Sequence, residues 1–242
     1  MLLKEFISST SRVRGATLVL MTIHLDLRVV ELLASRLCHD LVSPIGAINN
    51  GLELLAEDPE AVDDAVDLSR GSARQASGLL QFYRLAYGQA GHRLGETGQE
   101  LYDVAAAFTR AHKSRLDWRA DEGWATAPPG LGKLALNMVA TAAEALPRGG
   151  EIVVALQEDV RGAAIPTLVV TAQGRGARLR ETDAAALAGT AVVEDLTPHS
   201  VQGYWTRTLA EDLGLTLSAY PQPSGPDTHE GCRFDARAVP GG

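Results

Sequence analysis

LASRLCHDLVSPIGAINNGLELL, residues 33–55, is the stretch of this chain that decides its fold. Its apolar residues recur at intervals of three and four, the spacing of one face of an α-helix. Together with one residue upstream they form a single stripe, which comprises Val30, Leu33, Leu37, Leu41, Ile45, Ile48, Leu52 and Leu55. At ~100° per residue, His39 lies roughly 170° from the centre of this stripe. The sequence therefore predicts a well-anchored helix that displays a histidine on its solvent-facing side.

The displayed histidine has a chemistry of its own. Histidine side chains have an unperturbed pKa of ~6.5, so a neutral imidazole is available as a nucleophile near neutral pH. Such a ring can accept a phosphoryl group and pass it on, in a reaction where the protein mainly supplies position and charge compensation. Asp40 follows directly and can hold the ring in one tautomer or accept its proton. Ser43 and Gly46, on the same side, leave space above the ring. At this point an exposed histidine without a function is the alternative.

Composition limits the classes of protein that fit. The chain has 242 residues, 45% of them hydrophobic, which is enough for one large or two small domains. A net charge of −8 argues against nucleic acid as the main partner. Cys38 and Cys232 are too far apart in sequence to indicate a disulfide framework or a zinc site, so we expect a reducing cytoplasm. No apolar run approaches ~18 residues, which predicts no membrane span.

The first part of the chain is predicted to be a helical hairpin. The apolar pattern favours one helix over residues 26–56 and a second over residues 60–87, with a break between them. One hairpin cannot cover both apolar stripes, whereas two hairpins from two chains can. We therefore expect a homodimer held by a four-helix bundle. Residues 1–24 are interpreted as a loose leader, with Met21 as an alternative start, and residues 25–88 as the hairpin domain.

A second domain is predicted after a glycine-rich linker at residues 89–98, and it extends over residues 99–242. Helical patterns cover residues 100–111, 131–145 and 201–213. Strand patterns cover residues 151–158, 167–171, 215–220 and 232–239. This mixed order favours an α+β fold in which the second domain is a two-layer α/β sandwich.

Two segments resemble those of bacterial sensor histidine kinases. HDLVSPI, residues 39–45, resembles their phosphoacceptor box, in which a histidine precedes an acidic residue, a leucine, a serine or threonine, and a proline. NMVATAAEALPRGG, residues 137–150, resembles the first nucleotide-binding motif of their ATPase domain, the Bergerat fold. Asn137 matches that motif, but Thr141 stands where a second asparagine is expected, and a hydroxyl is a poorer Mg²⁺ ligand than an amide oxygen.

The other nucleotide-binding motifs are also incomplete. Ala172 occupies the position of the aspartate that reads the adenine amino group in active kinases, although Gly174 and Gly176 remain. Of the last glycine-rich motif only Gly203 is left. The resemblance therefore implies a degenerate Bergerat domain that keeps the fold and binds neither ATP nor a metal ion.

Taken together, the chain resembles the ChpT family of bacterial histidine phosphotransferases. CHDLVSPIGAINNGLELL, residues 38–55, and EALPRGG, residues 144–150, carry this resemblance. It implies a homodimer in which His39 is phosphorylated, with no cofactor of its own and with Mg²⁺ supplied by the partner receiver domain. It also implies the partners: the receiver domain of a hybrid kinase such as CckA, and response regulators such as CtrA and CpdR.

The face around His39 is the predicted docking surface for these receivers. Its candidate contact residues on the first helix are Arg36, Val42, Ser43, Gly46 and Asn50. The second helix is expected to pass level with His39 near residues 74–78, which adds Arg70 and Arg74 as candidates for contact with the receiver or the phosphoryl group. Two other functions stay open from the sequence: an active autokinase with a divergent ATP site, and a non-enzymatic dimeric scaffold that binds receiver domains.

Overall fold

A computed structural model describes residues 26–89, 97–119, 122–157, 165–222 and 230–238. The predicted leader at residues 1–24, with its alternative start, lies outside these residues. So does most of the predicted linker, although Thr97 already caps the next helix, which begins at Gly98.

The helical hairpin has nearly the predicted bounds. Helix α1 spans Leu27–Glu57, and its first turn is capped by the Asp26 side chain, which accepts a 2.8 Å hydrogen bond from the backbone N–H of Arg28. A short 3₁₀ turn at Pro59–Ala61 leads into α2, Val62–Ala86. The two helices approach closely at Gly51, where an added Cβ would lie 2.2 Å from Ser69 Oγ.

The rest of the described chain forms a mixed sheet with helices against it. The helices are α3 Gly98–Ala111, α4 Leu131–Glu144, α5 Glu181–Ala188 and α6 Val201–Asp212. The strands are β1 Ser114–Trp118, β2 Gly150–Gln157, β3 Thr167–Gln173, β4 Leu215–Gln222 and β5 Gly231–Ala238. Their order is β1-β2-β3-β5-β4; β1 and β2 are parallel and the other pairs antiparallel. The α+β class is confirmed.

Strand β1 and helix α5 were missed by the sequence interpretation. Strand β1 reads SRLDW, lies at the edge of the sheet and is buried only at its two ends, so it lacks a run of apolar residues. Helix α5 reads ETDAAALA, which is short and alanine-rich and shows almost no apolar stripe. Both depend on tertiary packing that a local pattern does not record.

One hydrophobic core joins the hairpin to the sheet. The C-terminal half of α2 is buried in it, and Phe82 stacks on Phe108 of α3 with ring centroids 3.9 Å apart. At the other end, Val29 near the start of α1 packs with Leu196 and Val201. The hairpin segment that carries His39 is therefore fixed against the α/β layer from both helices.

The predicted apolar stripe of α1 is only partly covered within a single chain. Its members Leu33, Leu37, Leu41 and Ile48 are partly buried. Several other large apolar side chains of the hairpin remain exposed: Val30, Ile45, Leu52 and Leu55 of α1, and Val62, Val66 and Leu80 of α2. Among the described residues, no helix combines the length and the apolarity needed to cross a bilayer.

Candidate functional site

His39 lies in the middle of α1, and its side chain is 85% exposed. This confirms the exposure predicted from the helical periodicity. Val42 and Ser43, one turn further along, are exposed as well, and nothing lies within 4 Å of the position that a Cβ would take at Gly46. The imidazole therefore projects from an open surface that a partner protein can approach.

Asp40 holds the ring from one side. Its Oδ1 lies 3.2 Å from Nδ1 of His39, and its side chain is 19% exposed. Among the described residues, no hydrogen bond reaches Nε2, the other ring nitrogen. A neutral imidazole that donates its proton from Nδ1 to a carboxylate keeps a free lone pair on Nε2. In the tautomer that carries its proton on Nδ1, the arrangement presents the lone pair of Nε2 to solvent.

Tyr83 holds Asp40 in turn, because its hydroxyl donates a hydrogen bond to Asp40 Oδ2. The tyrosine is only 3% exposed. Its ring stacks on Tyr87 with centroids 5.2 Å apart and meets Phe82 edge-on at 5.7 Å. Burial and the neighbouring carboxylate raise the pKa of Tyr83 well above that of an ordinary tyrosine, so the hydroxyl stays protonated and acts as the donor.

The sequence interpretation missed Tyr83 because it misplaced the register of the hairpin. It put residues 74–78 level with His39, whereas the Asp40–Tyr83 contact puts that level nearly two turns further along α2. Arg70 and Arg74 are both exposed, and Arg70 pairs with Asp67 on its own helix at 3.3 Å. At 1.5 Å per residue, Arg74 lies about 13 Å along α2 from Tyr83. The structure does not bring either arginine to His39.

The structure corrects the predicted position of Arg36. It was predicted on the docking face, yet it is only 5% exposed. Its Nη2 lies 2.6 Å from Glu144 Oε1 at the end of α4, and its Nη1 donates to the carbonyl of Pro198 at 3.4 Å. The arginine therefore ties α1 to the α/β layer. The periodicity placed it on the exposed side of α1, but the α/β layer covers that part of the helix.

Glu144 has two further side-chain partners, since Arg180 lies 3.1 Å and His199 3.3 Å from its Oε2. Burial alone would raise the pKa of Glu144. The attraction of Arg36, His199 and Arg180 outweighs burial and lowers that pKa below its usual range. The carboxylate is therefore ionised at neutral pH and fully engaged in ion pairs.

The residues that match the nucleotide-binding motifs are engaged in a buried polar network. Asn137 donates from Nδ2 to the carbonyls of Ala86, at 2.7 Å, and Lys133, at 2.8 Å. Thr141 donates to the carbonyl of Asn137 at 2.9 Å. Gln202, at the start of α6, donates to Asn137 Oδ1 at 3.1 Å. The amide of Asn137 thus joins the end of α2 to α4 and α6.

The other two motif positions are packed tightly. Ala172 is fully buried on β3. A Cβ at Gly203 would lie 3.2 Å from Leu187 Cγ of α5. In the part of the chain that the structure describes, no group of three or more His, Cys, Asp or Glu side chains could hold a metal ion.

Comparison with known proteins decides the family. Residues 98–224 match the family described as histidine phosphotransferase C-terminal domain. The chain is 40% identical over 191 residues to protein phosphotransferase ChpT of Brucella abortus (strain 2308). The aligned region covers 78% of this chain and 88% of that protein. The chain belongs to the histidine phosphotransferase family. The resemblance inferred from the helix around His39 is therefore confirmed.

A solved structure of a bacterial phosphotransferase supports the same assignment. It is 37% identical, covers 89% of this chain and 98% of its own, and superposes with a TM-score of 0.71. As a histidine phosphotransferase, the protein acts in phosphotransfer signalling. The autokinase and scaffold functions that the sequence left open are not favoured.

Proposed function

We propose that His39 is the residue of this phosphotransferase that carries the phosphoryl group. The observation that supports this best is a ring 85% exposed on a fixed helix, with Nδ1 beside Asp40 and with Nε2 directed away from that contact. Nε2 attacks the phosphorus of an aspartyl phosphate on a partner. The N–P bond forms as the P–O bond breaks, and the aspartate leaves with the electron pair. The reverse reaction passes the group to the next partner.

The partners in this proposal are receiver domains, because they carry an aspartyl phosphate. One belongs to a hybrid sensor kinase, and the others to response regulators, of the CckA, CtrA and CpdR types. Val42 and Ser43 beside His39 offer an apolar and a small polar contact for docking, and Gly46 and Asn50 extend this strip along α1. In this proposal the receiver brings the Mg²⁺, and the Asp40 carboxylate serves to hold the ring of His39.

The protein works as a homodimer in this proposal. The exposed apolar residues of α1 and α2 would be covered if the hairpin of a second copy packed against them, which gives a four-helix bundle.

The two cysteines are both free, Cys38 exposed and Cys232 buried, which fits a reducing compartment such as the cytoplasm.

The second domain is proposed to be a degenerate Bergerat domain that binds no ATP. Two observations support this. The Asn137 network ties the motif residues to α2 and α6, and the Arg36–Glu144 ion pair holds the domain against the helix that carries His39. A kinase domain must instead reach its histidine with a bound nucleotide.

The test is phosphoryl transfer from a radiolabelled receiver. We expect His39→Ala to abolish labelling because it removes the attacking Nε2, while the oligomeric state stays that of the wild type. His199→Ala, which removes another exposed histidine, is the matched control and should still be labelled. Persistent labelling of His39→Ala would show that the phosphoryl group is carried elsewhere. In parallel, incubation with labelled ATP and Mg²⁺ should leave the wild type unlabelled. Labelling at His39 would instead support the function of an active autokinase.

A further inference from the structure

Asp40 is held from two sides by different elements. Its Oδ1 contacts Nδ1 of His39 on the same helix, and its Oδ2 accepts the hydroxyl proton of Tyr83 from the neighbouring helix. The imidazole itself is almost entirely in solvent and has no other polar anchor among the described residues. The Asp40 carboxylate is therefore the polar group that orients the His39 ring in the described part of the chain.

We propose that Tyr83 is a positioning residue for phosphoryl transfer: its hydroxyl fixes the Asp40 carboxylate, which keeps the ring proton of His39 on Nδ1 and the lone pair on Nε2. This inference rests on the proposed function of His39 as the phosphoryl carrier.

The tyrosine is itself well placed to fix another group. Its ring is held by stacking on Tyr87, by the edge of Phe82 and by Phe108, whose centroid lies 6.3 Å away. The ring cannot change rotamer without disrupting the core, so the position of its hydroxyl is set when the protein folds. An aspartate on a free helix surface samples several rotamers, and fixing one of them during the reaction would cost entropy. In this protein the hydrogen bond from Tyr83 fixes the rotamer of Asp40 before a receiver binds.

Arg36 does not compete for this role, although it contributes a favourable charge near Asp40 and Tyr83. Its hydrogen-bonding partners are Glu144, the carbonyl of Pro198 and the Tyr87 side chain, and not Asp40. Within the described residues, Tyr83 is therefore the one side chain whose hydrogen bond restrains the second carboxylate oxygen of Asp40.

The role follows from the chemistry of the transfer. When Nε2 forms its bond to phosphorus, the electron pair of the broken P–O bond stays on the partner's aspartate, and positive charge develops on the imidazole ring. The proton remains at Nδ1, where the hydrogen bond to Asp40 strengthens as the ring becomes positive. A carboxylate that drifts from Nδ1 loses this stabilisation and lets the proton move to Nε2, which blocks the attacking nitrogen.

Tyr83→Phe tests the proposal, because it keeps the aromatic packing and removes only the hydroxyl. Tyr87→Phe is the matched control: it deletes a hydroxyl from the stacked ring, but that hydroxyl donates to Gln202 Oε1 at 2.6 Å and not to Asp40. We expect Tyr83→Phe to lower kcat for phosphoryl acceptance roughly fivefold to tenfold, the equivalent of one lost hydrogen bond, with KM for the receiver little changed. Tyr87→Phe should keep the wild-type kcat.

Tautomer populations give a second measurement that loss of stability alone does not move. In ¹⁵N spectra recorded where the ring is neutral, wild type and Tyr87→Phe should show His39 protonated mainly on Nδ1, and Tyr83→Phe a mixture of the two tautomers. A wild-type ring protonated on Nε2 overturns the proposal, as does a Tyr83→Phe variant that matches wild type in both measurements. If Tyr83→Phe does not fold, the wild-type spectrum decides.

Failure of the proposed function gives a different result. Wild-type protein that receives no label at His39 refutes His39 as the carrier, whereas the ¹⁵N spectra still show whether Tyr83 and Asp40 control the tautomer. The two hypotheses are therefore separable in the same set of samples.

Discussion

Single residues show how this chain separates reactivity from stability on one helix. His39 is free in solvent, while Arg36, one turn earlier, is buried against Glu144 at 2.6 Å. Helical periodicity alone gave both residues to the exposed side. The difference arises because the α/β layer covers one part of α1 and leaves the next turn open. A pattern within a helix reports which faces are apolar, but it does not report which polar side chain a second domain will reach.

The Arg36–Glu144 pair predicts a pH-dependent contribution to stability. Because the pKa of Glu144 is lowered in the folded protein from its ordinary value of 4.5, its contribution is complete above that pH and is lost as the pH falls through the lower, folded value. Glu144→Gln leaves the buried Arg36 charge without its closest partner and should cost about 3 kcal/mol at pH 7. Urea unfolding at pH 7 and at pH 3 measures this: the gap between wild type and variant should shrink at pH 3. An equal gap at both pH values would contradict the ion-pair explanation.

At the scale of elements, the long and strongly periodic segments could be predicted and the short ones could not. Helices α1 and α2 lie within two residues of the predicted bounds, since each presents an apolar stripe over many turns. The predicted register between them was wrong by nearly two turns, because the apolar stripes alone do not show which turns of the two helices meet. Tyr83 was missed for that reason alone. The sequence could predict the pairing of His39 with the adjacent Asp40 and the exposure of Val42 and Ser43, but not the contact between Asp40 and Tyr83.

Gly51 is the residue that marks the helix crossing, and it predicts a stability effect. A Cβ there would lie 2.2 Å from Ser69 Oγ and 2.9 Å from the backbone oxygen of Ala65, so Gly51→Ala forces α1 and α2 apart. We expect a loss of about 1–3 kcal/mol in the free energy of unfolding. Gly71→Ala is the control on α2: nothing lies within 4 Å of its Cβ position, so the helix propensity of alanine should stabilise the protein by up to ~1 kcal/mol. Thermal or urea unfolding that gives both variants the same sign would refute this account of the crossing.

The whole molecule has to satisfy two demands on one hairpin. The end of α2 is buried in the core it shares with the α/β layer, and the face around His39 must stay open for partners. The remaining apolar side chains, among them Ile45 and Leu52, face neither. They are too numerous to be isolated surface residues, and they lie along both helices of the hairpin. In the proposed homodimer, a second copy of the hairpin would cover them with a stripe of the same length and character, so dimerisation and phosphoryl transfer would use different faces of the same two helices.

If the homodimer forms through this stripe, a substitution in the stripe should weaken dimerisation without unfolding the single chain. Leu52, 55% exposed in the single chain, would be buried in both copies, so Leu52→Asp removes two apolar contacts and places two charges in the bundle. Losing about 1.5–3 kcal/mol per side chain should raise the dimer dissociation constant at least about 100-fold. Val192→Asp, at a valine 57% exposed in the α/β domain, should leave that constant unchanged. Sedimentation velocity over a dilution series distinguishes these outcomes. A Leu52→Asp protein that stays dimeric would show that the interface lies elsewhere. A Leu52→Asp protein that is a folded monomer, and whose His39 is still labelled by a receiver, would show that phosphoryl transfer needs the hairpin of one chain alone.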